Sequence, residues 1–80
     1  MHDLTAAQQV LKVVLDAASE HPGRRVVTIS VKVGNRMGLD ADRLGQLVRD
    51  LAQGTAAEGA ELDAELVAGA GLVIDSFEIE

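Results

Sequence analysis

Arg24-Arg25-Val26-Val27-Thr28-Ile29-Ser30-Val31-Lys32-Val33 is the stretch that decides the fold. Val27, Ile29, Val31 and Val33 alternate with Val26, Thr28, Ser30 and Lys32. A period of two with β-branched residues predicts a half-buried strand over 24–33. Upstream, Leu4, Ala7, Leu11, Val14, Leu15 and Ala18 recur at three- and four-residue spacing, which predicts a helix over 6–20. Thr5-Ala6-Ala7-Gln8 fits a capping box, with Thr5 as N-cap. His21-Pro22-Gly23 stops that helix, and His21 at its C-terminal end reads as structural. Downstream, Gly34-Asn35-Arg36-Met37-Gly38 is a loop, and Asp40 can cap a second helix over about 41–53. Leu44, Leu47, Val48 and Leu51 form its inner face, and Gly54 ends it.

Alternation returns over 60–67, with Leu62, Ala64 and Leu66 on one side and Glu61, Asp63 and Glu65 on the other. Gly69-Ala70-Gly71 is a turn, and a last strand over about 72–79 places Val73, Phe77 and Ile79 on one face. Asp75 interrupts that face, so this strand is expected to be irregular or its buried end short. So short a connection predicts that the last two strands pair as an antiparallel hairpin. The expected fold is α+β, in the order α-β-α-β-β, with two helices on one face of a three-stranded sheet. The other face carries Thr28, Ser30, Lys32, Glu61, Asp63, Glu65, Ser76 and Glu78 and is expected to be wet, with Val26 and Ile74 as the apolar exceptions on it. Residues 1–80 are expected to form a single domain.

Composition narrows the function. There is no cysteine, which excludes a disulfide scaffold, a thiol nucleophile and any cysteine-based zinc or iron–sulfur site in this chain. Acidic residues outnumber basic ones 13 to 7, for a formal charge of −6, and Phe77 is the only aromatic residue. Nucleic-acid binders carry basic stripes and stacking platforms, so no nucleic-acid partner is expected. No apolar run approaches the roughly 20 residues that span a bilayer, and no secretory leader is recognisable. The default expectation is therefore a cytoplasmic protein without a membrane partner. Open sheet edges make a homo-oligomer an expected way of covering them. Phosphate-binding loops, paired metal histidines and a nucleophile–base set are all missing, so no enzyme is expected.

The chemistry that remains is at the amino terminus, Met1-His2-Asp3. The Met1 amine, the His2 backbone nitrogen and the His2 ring nitrogen lie within one short stretch. A fourth donor could come from Asp3, through its backbone nitrogen or its carboxylate. A nitrogen-rich, tetragonal set suits Ni(II) or Cu(II) better than Mg(II) or Ca(II). Protons must leave the amine and imidazole, so affinity should rise with pH through the neutral range. By itself, a histidine at position two is also the ordinary start of a frayed terminus.

Met1-His2-Asp3-Leu4 followed by a helix resembles the start of HypA/HybF proteins, which typically open Met-His-Glu. Arg25 to Gly34 with the loop Asn35 to Asp40 is similar to that family's first strand and glycine-containing loop. Gly54 to Leu62 resembles the segment leading into its second strand, and Ser76-Phe77-Glu78-Ile79-Glu80 resembles its closing strand. The resemblance implies a nickel metallochaperone-like accessory protein for NiFe-hydrogenase maturation. It implies Ni(II) held by Met1, His2 and Asp3. It also implies a maturation GTPase of the HypB type, or the hydrogenase large subunit, as partner. Asp3 stands where the family usually has glutamate, one methylene longer. The family carries a zinc domain with two Cys-x-x-Cys pairs between its last two strands. Here a tight turn near 68–71 replaces it, and no zinc is expected. The alternative is a metal-free interaction module that docks on a hydrogenase or its maturation GTPase.

Overall fold

The structure, a computed structural model, describes residues 2–80. Five elements follow in the predicted order: α1 (Asp3–Ala18), β1 (Val26–Gly34), α2 (Ala41–Leu51), β2 (Glu61–Val67) and β3 (Leu72–Ile79). Both helices lie on one face of the three-stranded sheet, and the fold is α+β as the periodicity predicts.

α1 buries Ala6, Ala7, Val10, Leu11, Val14 and Ala18. The helix begins earlier than the capping box suggests. His2 occupies the N-cap position in extended backbone, and Thr5 lies inside the first turn. Thr5 is therefore not the cap. The aliphatic pattern fixes the helix face but not its boundary, and Asp3 is as favourable near the positive helix end as a capping threonine. Leu4, assigned to the inner face, is about half exposed. His21 lies past the helix end, where its N–H donates to the Ala18 carbonyl at 2.9 Å.

α2 starts as predicted. The Asp40 Oδ1 accepts from the Asp42 N–H at 2.9 Å and the Arg43 N–H at 3.3 Å. Asp40→Ala should cost about 1 kcal/mol of stability, measurable as a lower urea midpoint at constant slope. Leu44 and Val48 are buried, whereas Leu51 at the helix end is exposed.

The strand order is β2-β1-β3, so the hairpin between the last two strands does not form. β1 lies between them, parallel to β2 and antiparallel to β3. Two physical reasons favour this arrangement. First, β1 has the most apolar inner face, and the central place buries Ile29, Val31 and Val33 almost completely. Leu62 and Phe77 flank Ile29, and Ala64 and Ile74 flank Val31. Second, a β2–β3 pair would bring Glu61, Asp63 and Glu65 beside Asp75 and Glu78, and like charges across a ladder destabilise it. In the observed sheet, Thr28, Ser30 and Lys32 separate the two acidic rows. Charged edge strands also resist pairing with other chains.

Residues 68–71 carry the chain over the end of β1 instead of turning back on β2. The gap is about two strand spacings, or about 10 Å, within reach of four residues at ~3.3 Å each. β1 and the loop after it tie this link down. The Gly34 N–H donates to Gly71 O at 2.7 Å, the Asn35 N–H to Val67 O at 2.7 Å, and the Arg36 N–H to Gly69 O at 2.9 Å.

Two register shifts re-aim side chains. An extra residue at Val27 turns Val26 inward, 1% exposed, and leaves Val27 outside. An extra residue at Asp75 does the same in β3. Leu72 and Ile74 join Phe77 and Ile79 on the inner face, and Val73 is 57% exposed. The expected irregularity at Asp75 is therefore present, but it reverses the roles of Val73 and Ile74. A bulge places two residues opposite one and shifts the alternation by one step. Leu66, although in register with Val33, is exposed at the sheet edge.

Candidate metal site at the amino terminus

The three residues singled out by the sequence meet different fates. Met1 lies outside the described residues. His2 is exposed, with φ −74° and ψ 144°, and its side chain makes no capping hydrogen bond. Its carbonyl is engaged, accepting from the Ala6 N–H at 3.0 Å. Asp3 is the first residue of α1. An N–H in that position has no intrahelical acceptor, so the amide nitrogens of the first turn point out of the helix end.

The Asp3 carboxylate is not idle. Its Oδ2 lies 3.2 Å from Nε of Arg43 on α2, and the Asp3 side chain is only 22% exposed. His2, Asp3, Leu4, Thr5 and Arg43 line a shallow pocket of about 430 Å³. The Asp3–Arg43 pair escaped the sequence reading because its partners are distant along the chain and no periodicity links them.

Among the described residues, no group of three or more His, Cys, Asp or Glu side chains is close enough to hold a metal ion. Side chains of these types alone therefore do not form a metal site here, and main-chain nitrogens are the further donors this end can offer. The arrangement suits that. An exposed imidazole adjoins a helix end whose amide nitrogens lack internal acceptors, and both belong to consecutive residues. A cation faces the positive end of the α1 dipole, an unfavourable term of about 0.3–1 kcal/mol. Deprotonated amide donors would offset it by bringing negative charge to the same place. Nitrogen donors of this kind fit Ni(II) or Cu(II).

A sequence profile described as "Hydrogenase/urease nickel incorporation, metallochaperone, hypA" matches residues 1–77, and the chain belongs to this family. The family consists of metallochaperones that act in nickel incorporation; it is not a family of enzymes. Relatives named hydrogenase maturation factor HypA include that of Methanopyrus kandleri, 36% identical over 69 residues, covering 86% of this chain and 49% of the relative. The Chlorobaculum tepidum protein is 37% identical over 71 residues, covering 89% and 63%. The Polaromonas naphthalenivorans protein is 36% identical over 69 residues, covering 86% and 60%. The chain thus spans about half to two thirds of the length of these relatives. No helix among the described residues is long and apolar enough to cross a membrane.

Proposed function

We propose that this domain captures Ni(II) as cargo at its amino terminus, for delivery to a NiFe-hydrogenase during maturation. The Met1 amine, the His2 amide and imidazole nitrogens and the Asp3 backbone nitrogen supply the donors. The observation that supports the reading is the exposed His2 directly before the unpaired amide end of α1, in a chain of the HypA family. The short link 68–71 is read as standing in place of a zinc domain, so nickel capture proceeds without zinc. A maturation GTPase of the HypB type or the hydrogenase large subunit, in the cytoplasm, would receive the metal.

Calorimetric titration of untagged protein with Ni(II), with the free Met1 amine verified by mass spectrometry, tests this. His2→Ala should weaken binding at least about tenfold, since it removes the sole imidazole of a nitrogen-rich set. An amino-terminal tag should have a comparable effect. Wild-type binding should tighten as pH rises through the neutral range, because the donors release protons on binding. Equal binding by wild type and His2→Ala would rule the site out.

A second reading is a metal-free module that docks on a hydrogenase or its maturation GTPase. It draws on the outer sheet face, where Glu61, Asp63, Glu65 and Glu78 surround Thr28, Ser30 and Lys32, and no helix or strand among the described residues covers them. Charge reversal at Glu61 and Asp63 would then abolish partner recovery in a pull-down, whether or not nickel is added.

A further inference from the structure

The Asp3–Arg43 contact joins the first turn of α1 to the first turn of α2. Arg43 is itself held, because its backbone N–H donates to the capping Asp40 Oδ1 at 3.3 Å. A chain of contacts therefore runs from the α2 cap through Arg43 to Asp3, the residue after His2. The carboxylate is mostly covered, while the Arg43 side chain is 64% exposed. A metal ion that took the Asp3 carboxylate would have to displace the guanidinium from Oδ2 or share the carboxylate with it, and two cations would compete for one anion.

We propose that Arg43 is a positioning residue of the nickel site. It holds the Asp3 carboxylate away from the metal and fixes the backbone on which His2 and the Asp3 amide nitrogen are presented. This rests on the nickel reading above. Nickel is then bound by nitrogen donors, and the acidic side chain at position three acts as an anchor.

The test is a double-mutant cycle on untagged protein: wild type, Arg43→Gln, Asp3→Asn and the double variant, with Arg43→Lys and His2→Ala alongside. Each is titrated with Ni(II) by calorimetry, and the visible absorption of each nickel complex is recorded. The pair lies outside the hydrophobic core, so these variants are expected to fold, which circular dichroism checks. Both single variants should weaken nickel binding by about two- to fivefold, the scale of a partly exposed ion pair. The double variant should be no weaker than either single one. Arg43→Lys should recover part of the loss, and the absorption spectrum should keep the wild-type form in all of them, because the donor set is retained. A carboxylate ligand gives the opposite pattern: Arg43→Gln tightens binding, Asp3→Asn weakens it, and the spectrum shifts. That result, or unchanged affinity in both single variants, overturns the proposal while leaving nickel at His2 intact. Unchanged affinity in His2→Ala overturns the nickel reading and this one with it.

Discussion

Gly34→Ala should destabilise the domain by about 1–3 kcal/mol, and Gly34→Val by the upper end of that range or more. A Cβ at Gly34 would lie 2.5 Å from the Gly69 carbonyl oxygen and 2.8 Å from the Ala70 nitrogen. The opposing atoms are backbone, and the hydrogen bonds from Gly34, Asn35 and Arg36 hold them in place, so the link cannot yield cheaply. Gly71 is the control. Its φ lies outside the left-handed region and its Cβ position is open, so Gly71→Ala should stay within about 0.5 kcal/mol of wild type. Urea denaturation followed by circular dichroism measures both. Equal midpoints for the two variants would mean that the link does not press on β1.

Ile29→Ala should cost about 2–5 kcal/mol. Its side chain is fully buried, with Leu62 and Phe77 at the same register on either side. Eighty residues sustain about 4–12 kcal/mol of total stability, so this one truncation can consume much of the margin. Val73→Ala is the comparison, since Val73 is 57% exposed and its loss should register within about 0.5 kcal/mol. A hairpin of the last two strands with Val73 inside predicts a substantial cost there. The ratio of the two effects thus reports the strand order through thermal or urea unfolding.

The contrast between Ile29 and Val73 also marks how far the sequence could be read. Local signals carried the elements. The alternation in β1, the aliphatic stripe of α1 and the Asp40 cap depend on neighbours a few residues away; the Asp40 cap appears where expected, the β1 alternation holds from Ile29 onward, and the α1 stripe holds except at Leu4. Strand order depends on which surfaces meet across the fold, and a short glycine-rich connection suits a hairpin as well as a bridge over a third strand. The acidic rows on β2 and β3 did contain the answer, because pairing them would oppose like charges. The face of Val73 was misread for a local reason: a single bulge residue, Asp75, reverses the alternation beyond it. At the amino terminus, His2 was legible as a candidate donor, and the structure leaves it exposed. The role of Asp3 was not, because Arg43 reaches it from another helix.

The link over β1 also gives the molecule two chemically distinct poles. α1, about 24 Å long, packs against α2 and β3, and its first turn meets the first turn of α2, which follows the Gly34 end of β1. β3 runs the other way and brings Ile79 into register with Val26, one strand length from that pole. There the Arg24 side chain donates to the Glu80 carbonyl, and the Glu80 N–H to Arg25 O. A surface tether or fluorophore attached beyond Glu80 would therefore leave the His2 pole unobstructed. Anything spliced into 68–71 would emerge at the Gly34 end of β1, on the side of the molecule where the chain leads into α2 and its contact with Asp3.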